Sequence, residues 1–279
     1  MKITTFAASA FLVLAGTNFA LANSFGECKV TGEAVKTEFV PLKDDTLVVA
    51  TVLPNPGWWN GTSPTEITSG YEYCLAAQIA HRAGFSQLEI KNLAWDQLIT
   101  GAAKGYDIAM AGVTITEKRR AAMDFSAPYF NSDLGVASKP GADVTSDNIR
   151  QKRIGVIQGS TGADWVINTL KADNPPAIFQ SNPEAFTSLA AGQVDVVITD
   201  TVLLLAAAKT TGGRIAVQAQ FKAEQPNGIV MPKGSVNIQV VNEIIADLEA
   251  DGSLAELTKA YLVPMFGGNP DDIPFWEVK

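Results

Sequence analysis

Residues 106–120 read YDIAMAGVTITEKRR, and this stretch decides both the fold and the candidate site. Its apolar part, residues 108–111, predicts a short buried strand that ends at Gly112. Small hydroxyl residues and two adjacent arginines follow. Open α/β sheets bind ligands beyond the carboxyl ends of their strands, where a planar guanidinium can hold a carboxylate with two parallel hydrogen bonds. The stretch is therefore either an anion-binding strand end or a surface turn with solvated charges.

The composition limits the class of protein. The chain has 279 residues, 47% of them hydrophobic, which suits one large or two medium globular domains with their own cores. Its formal net charge is −8 and neither half carries a basic block, so we expect no nucleic-acid partner and no anionic membrane surface. Two cysteines and one histidine argue against a zinc site, and we expect no metal or cofactor.

The N-terminus has the pattern of an export signal. Lys2 precedes an apolar run over residues 6–16, which is too short to span a bilayer. Residues 20–22, Ala-Leu-Ala, match the small-x-small cleavage pattern. We therefore expect residues 1–22 to be removed as a signal peptide, which leaves a soluble protein in the periplasm.

Export bears on Cys28 and Cys74, because an oxidising compartment allows a disulfide. A bridge would tether the N-terminal arm, residues 23–43, to the start of the first predicted helix. The alternative is two unpaired, half-buried thiols. We favour the bridge, because the arm has little hydrophobic periodicity of its own.

Beyond the arm, strand and helix patterns alternate, and the alternation restarts after a polar stretch at residues 139–152. The predicted strands cover residues 46–53, 88–93, 108–111, 134–138, 153–157, 194–199, part of 209–221, and 229–231. The predicted helices cover residues 71–82, 163–170, 182–191, 201–209, 236–248 and 253–262, and a further short helix opens at residues 95–99 and ends near residues 101–105. This order predicts two α/β halves, each with a mainly parallel sheet.

Two further strand ends carry polar residues. Residues 159–162, Gly-Ser-Thr-Gly, follow a predicted strand and point backbone N–H groups at an anion. They lack the lysine of a phosphate-binding loop and the glycine spacing of a dinucleotide site, so nucleotide binding is rejected. Asp200 ends another buried strand, where it could meet a cation in the cleft or cap the helix at residues 201–209.

No catalytic framework is present in the sequence. There is no serine nucleophile elbow and no cysteine–histidine pair, and the single histidine, His81, lies on a predicted helix. The strand-end residues instead match an α-amino acid, with Arg119, Thr114 and Thr161 for its carboxylate and Asp200 for its ammonium. Charges buried in a closed cleft are tolerated only when they are paired and hydrogen-bonded.

Four motifs resemble the periplasmic solute-binding proteins of polar amino acid ABC transporters, which are the family 3 extracellular solute-binding proteins. The motifs are GYEYCLA at residues 70–76, YDIAMAGVTITEKR at 106–119, IGVIQGST at 154–161 and GQVDVVITD at 192–200. The similarity runs from residue 47 to about residue 262. It implies an α/β clamp of type II, in which two lobes, each a mixed, mainly parallel sheet flanked by helices, are joined by two hinge crossovers.

The resemblance also implies a domain division and a function. Lobe 1 would comprise residues 23–131 and 228–279, and lobe 2 residues 132–227, with crossings near residues 131–133 and 225–228. Such a protein captures an amino acid or close derivative between its lobes and delivers it to an ABC transporter permease. It acts as a monomer and is not an enzyme.

Roles for individual residues follow from the same resemblance. Arg119 would clamp the ligand carboxylate with help from Thr114 and Thr161, and the backbone at Gly112 would contribute. Asp200 would take the α-ammonium group.

The loop after the first strand departs from the family pattern. Where relatives carry an acid and a covering aromatic residue, this chain has Val52 and Asn55, and its tryptophans come a few residues later. The missing acid argues against a ligand of the lysine or arginine type. We take Trp58 as the residue that covers the ligand, with Trp59 as the alternative; either could instead pack in the core.

Two other functions stay open. Dehydratases that act on arogenate or prephenate share this scaffold, and Asp200 could serve as their proton donor if its pKa were raised. A binding module that serves a sensor receptor is the third possibility. The sequence does not identify the bound amino acid, and it does not separate a transporter partner from a sensor.

Overall fold

One eight-stranded sheet runs through the computed structural model, which describes residues 25–34, 38–267 and 270–278. The predicted signal peptide, residues 1–22, lies outside these residues. The strands are β1 (Thr46–Thr51), β2 (Gln87–Asn92), β3 (Ile108–Ala109), β4 (Met123–Ser138), β5 (Ile154–Ile157), β6 (Ala177–Phe179), β7 (Val196–Asp200) and β8 (Ala216–Pro232). They lie in the order β2-β1-β3-β8-β4-β7-β5-β6.

Helices pack against this sheet in four apolar clusters. They are α1 (Tyr71–Arg82), α2 (Trp95–Ile99), α3 (Glu117–Arg120), α4 (Thr161–Trp165), α5 (Asn182–Ala191), α6 (Thr201–Thr210), α7 (Ile238–Ala250), α8 (Ser253–Leu257) and α9 (Val263–Phe266). Short π-helical turns follow α4 and α8. The bounds of α1 and α5 are those predicted from the sequence, whereas α2 begins at Trp95 as predicted but ends at Ile99, before residues 101–105.

The sheet has a parallel group of strands at each end and an antiparallel pair in the middle. β1 pairs in parallel with β2 and β3, and β5 pairs in parallel with β6 and β7. The long strands β4 and β8 pair with each other in antiparallel fashion and connect the two groups. The mixed, mainly parallel α/β arrangement with flanking helices is confirmed.

The long strands differ from the sequence-based prediction. Only residues 134–138 of β4 and residues 229–231 of β8, with part of 209–221, were predicted as strand. The polar segments at residues 131–133 and 225–228 are the predicted crossings, and the second of them has the pattern of a turn, yet Asn131 pairs with Pro226 inside the sheet. Register shifts beside these segments show where the pairing is irregular, which is typical of a bend between two sheet halves.

Two other elements differ from prediction for local reasons. α4 begins at Thr161, two residues earlier than predicted, because the Ser160 side chain accepts a hydrogen bond from the Ala163 N–H (3.0 Å) and caps the helix. β6 was missed. It has three residues at the edge of the sheet and no alternation of buried and exposed positions.

The N-terminal arm is covalently attached to α1. Cys28 and Cys74 form the expected disulfide, with 5.3 Å between their Cα atoms. Around it, Phe25 packs in the core, and the Thr31 N–H donates to the Gln78 side chain on α1 (3.0 Å). The arm is therefore held by a bridge, an apolar contact and a hydrogen bond rather than by secondary structure.

We predict that replacing both cysteines, Cys28→Ser with Cys74→Ser, lowers the free energy of unfolding by about 2–4 kcal/mol. The bridge joins two cysteines with a sequence separation of 46 residues, and its loss raises the conformational entropy of the unfolded chain. Urea denaturation of the oxidised wild type and the double variant measures the difference. Reduced wild type is the control and should match the variant, and a midpoint that reduction does not move would contradict the prediction.

Candidate functional site

A cavity of about 600 Å³ lies where the carboxyl ends of β3, β5 and β7 converge. Five of the six residues predicted for the site line it: Gly112, Thr114, Arg119, Thr161 and Asp200. The strand ends that the sequence places far apart therefore share one cavity, as expected for ligand sites in open α/β sheets.

Arg119 is held rigidly at the cavity wall. Its backbone N–H donates to the side chain of Thr116, which caps α3, and only 6% of the residue is exposed. One terminal nitrogen of the guanidinium donates to the Thr114 carbonyl oxygen (2.8 Å) and the other to that of Gly159 (3.2 Å). A guanidinium has five N–H groups, so these two bonds leave three for a ligand.

The environment of Arg119 keeps it charged while raising the cost of leaving it unpaired. Its guanidinium lies 5.4 Å from the ring centre of Trp95, within cation–π range. Burial lowers the pKa of Arg119 to about 10, an effect that Asp200 and Asp164 partly oppose. The side chain is therefore still positive at neutral pH and is placed to bind an anion.

Asp200 ends β7 and carries the acidic group of the cavity. It occupies the N-cap position of α6, but its side chain makes no capping hydrogen bond. Within residues 25–34, 38–267 and 270–278, no donor is hydrogen-bonded to its carboxylate. Enclosure in the cavity raises the pKa of Asp200 to about 7, although the positive charge of Arg119 acts in the opposite direction. Of the two roles that the sequence left open, the structure favours contact with a cation over helix capping.

The remaining predicted residues differ in whether their polar groups are already hydrogen-bonded within the protein. The Thr114 hydroxyl is buried and donates to the Gln225 side chain on β8 (3.2 Å). The Gly112 N–H donates to the Glu72 carboxylate (2.8 Å), so this group is already engaged. Thr161 lies in the first turn of α4, at the cavity surface. Thr161 is thus the more available of the two hydroxyls.

Glu72 supports the site from behind, and the sequence analysis missed it. The residue is fully buried in the first turn of α1. Its carboxylate accepts hydrogen bonds from the Trp59 indole (2.6 Å), the Gly112 N–H and the Tyr129 hydroxyl. Burial raises its pKa. An acid between aromatic residues in the GYEYCLA motif was the available signal.

Trp58 does not cover the cavity, which corrects the sequence-based prediction. The side chain is 2% exposed and packs edge-on against Tyr71 and Phe130, with ring centres 5.3 and 5.1 Å apart. Trp59 is also in the core. The loop presents residues 52–56 to the cavity instead. The tryptophans lie inward because their large apolar surfaces, and the indole N–H that reaches Glu72, are satisfied there.

Contacts cross the mouth of the cavity. The Trp95 indole N–H donates to the Gln158 carbonyl oxygen (2.9 Å), beside the bond from Arg119 to Gly159. Gly159 has φ of +66°, and a Cβ there would lie 2.5 Å from the end of the Ile99 side chain. A glycine at this position therefore permits the close approach of the α4 loop to α2.

Two further observations on the described residues concern membrane-spanning helices and metal ligands. None of their helices is long and apolar enough to cross a bilayer. The same residues contain no group of three or more His, Cys, Asp or Glu side chains placed to hold a metal ion.

Comparisons with known proteins give one family match and several similar binding proteins. A model of the bacterial extracellular solute-binding proteins, family 3, matches residues 47–264. The L-cystine-binding protein TcyJ of Escherichia coli (strain K12) is 26% identical over 198 residues, which cover 69% of this chain and 74% of that protein. A probable histidine-binding protein of Neisseria gonorrhoeae is 31% identical over 200 residues, with coverage of 69% and 74%.

A solved structure of an ancestral arginine-binding protein bound to arginine has the same fold. Its TM-score is 0.69 at 28% sequence identity, and the match covers 78% of this chain and 98% of that one. The predicted fold class is confirmed by this match. These similar proteins are binding proteins rather than enzymes.

We predict that Asp200→Asn stabilises the ligand-free protein, and that the gain grows as pH rises. The folded-state pKa of about 7 lies above the ordinary value of 3.8. Ionisation of Asp200 therefore costs the wild type no stability below pH 3.8, and the cost grows as pH rises towards and through 7. Urea denaturation at pH 4.5, 6 and 8 measures the effect. Asp164→Asn, an exposed acid outside the cavity, is the control, and an equal gain at all three pH values would contradict the prediction.

Proposed function

Because the chain belongs to family 3 of the bacterial extracellular solute-binding proteins, we propose that it captures an α-amino acid and delivers it to the permease of an ABC transporter. The ligand carboxylate binds Arg119 with help from Thr161, and the α-ammonium binds Asp200. Thr114 and Gly112 support the site indirectly through their backbones. The Thr114 carbonyl oxygen accepts from Arg119, and the Gly112 N–H donates to Glu72.

The observation that carries the proposal is the pair of opposite charges on one cavity. Arg119 retains free N–H donors, and Asp200 has no hydrogen-bond donor of its own among the described residues. An α-amino acid supplies the missing partner to each group, and two charges taken out of water are tolerated only when both are paired. Micromolar affinity corresponds to about −8 kcal/mol, which these two contacts and the apolar walls can supply.

We propose that β4 and β8 act as the hinge between lobe 1, residues 23–131 with 228–279, and lobe 2, residues 132–227. Arg119 then belongs to lobe 1 and Asp200 to lobe 2. A ligand that bridges them binds the closed form more tightly and shifts the equilibrium towards it. The contacts of Arg119 and Trp95 with the α4 loop cross this proposed boundary, which supports a conformation with the lobes in contact.

The transport role extends the proposal beyond the cavity. We propose that residues 1–22 direct export, that the mature protein works as a monomer in the periplasm, and that a membrane permease receives the ligand. The family and the names of similar binding proteins support this role. A receptor that senses the loaded protein is the alternative partner.

A lyase on the same scaffold is the second candidate, because one observation favours it. The pKa of Asp200 is raised to about 7, as a proton donor requires. The ammonium of an amino acid would lower that pKa again and leave the carboxylate ionised, which suits binding. Incubation with prephenate and arogenate discriminates between the two: release of phenylpyruvate or phenylalanine would establish the lyase and refute a purely binding role.

We predict that Arg119→Ala weakens binding of amino acids more than 100-fold, because it leaves the ligand carboxylate buried without its partner. Isothermal titration calorimetry against a panel of amino acids, with protein freed of any co-purified ligand, measures the loss. Arg120→Ala is the matched control, since the neighbouring arginine is exposed, lies 3.6 Å from Glu117 and does not line the cavity. Undiminished affinity in Arg119→Ala would remove the clamp from the proposal.

A further inference from the structure

The cavity extends from the Arg119–Asp200 pair along α6. One face of this helix lines it, through Leu203, Ala206, Ala207 and Thr210, which recur at helical spacing. α5 faces the same space, with Phe186 and the Ala190–Ala191 pair among the lining residues. The cavity is thus longer than an amino-acid head group needs, and the walls of its extension are apolar or hydroxylic.

Arg214 lies at the far end of this extension. Its Nε–H donates to the Thr211 carbonyl oxygen (3.1 Å), which orients the guanidinium. Within the part of the chain that the structure describes, its terminal nitrogens have no hydrogen-bond partner and no carboxylate forms an ion pair with it. The Arg214 side chain is exposed, so its charge is available at the cavity surface.

The charges of the cavity do not balance for a simple amino acid. Among the described residues, the charged side chains that line it are Arg119, Asp200 and Arg214. The head group of an α-amino acid neutralises the first two, and one positive charge is left. A ligand with a cationic side chain would meet Arg214 without a second acid to receive it, whereas an anionic side chain would complete the set.

The length of α6 sets the size of such a ligand. Asp200 directly precedes the helix and Arg214 follows it closely, and 10 helical residues span about 15 Å. Both side chains reach into the cavity and shorten that gap. A ligand of two to three residues' length, roughly 7–11 Å when extended, fits between them.

We propose that the ligand is an elongated α-amino acid with a second carboxylate at its far end. Its head group binds Arg119 and Asp200, its linker lies along Leu203, Ala206 and Ala207, and the distal carboxylate binds Arg214. This inference rests on the proposed function and specifies the class of amino acid for the same site.

The test compares ligands that differ only at the far end. Calorimetry with the full-length mature protein uses L-glutamate, L-2-aminoadipate and L-2-aminopimelate as diacids of increasing length. L-2-aminoheptanoate is the neutral match for aminopimelate, and L-lysine is the cationic probe. We expect aminopimelate to bind about ten-fold tighter than aminoheptanoate, because a charge-assisted hydrogen bond contributes about that factor.

Variants of Arg214 isolate the distal contact. Arg214→Gln should remove most of the ten-fold preference for aminopimelate and leave the affinity for aminoheptanoate within two-fold of wild type. Arg214→Glu should shift preference towards lysine. Lys222→Gln removes an exposed positive charge outside the cavity and should change neither affinity, which controls for long-range electrostatics.

The outcomes separate the two proposals. If the wild type binds neutral amino acids as tightly as the diacids, or if Arg214→Gln leaves the preference intact, the distal site is refuted while amino-acid binding stands. If no amino acid of the panel binds, the proposed function fails and this inference fails with it.

Discussion

The buried positive charge of Arg119 is the constraint on which the site depends. Protein carbonyl oxygens of Thr114 and Gly159 hold its guanidinium, and neither carries a full negative charge. The charge is therefore oriented but not neutralised by direct contact, and Asp200 acts on it only through the cavity. Such an arrangement is costly in an empty cleft and favourable once a carboxylate enters. The two carbonyl oxygens keep the guanidinium at the cavity wall, where a ligand carboxylate can reach it.

Glu72 ties together three segments behind the cavity wall. Its carboxylate accepts from Trp59 in the loop after β1, from Gly112 after β3, and from Tyr129 in β4. The buried acid is tolerated without a cation because three hydrogen-bond donors surround it. A neutral amide side chain has one oxygen and could not accept all three bonds in the same way. The disulfide at Cys74, two residues along α1, adds the N-terminal arm to the same framework.

The sequence predicts the strand ends well and the cavity walls poorly. Thr161 and Asp200 could be placed together because they follow β5 and β7, which are parallel, so that their carboxyl ends share one edge. Arg119 follows β3, which runs antiparallel to these strands across the sheet, so its position opposite Asp200 followed from the resemblance to the family and not from strand order alone. Trp58 could not be placed, since an aromatic residue on a proline-rich loop looks the same whether it faces a ligand or the core. Arg214 becomes a candidate only after α5 and α6 are seen to line one cavity, and the full length of β4 and β8 was hidden by the polar residues at their centres.

Asp200 decides what the paired charges can do. The pKa of Asp200 is raised in the ligand-free protein, because enclosure in the cavity disfavours the ionised acid. In the proposed function an incoming ammonium stabilises the carboxylate, so binding near neutral pH would release the proton from the protonated fraction of Asp200. A lyase needs that proton to remain on the acid in the complex, whereas a binding protein needs it to leave. The charge of the group placed beside Asp200 would therefore decide between ligand binding and proton donation.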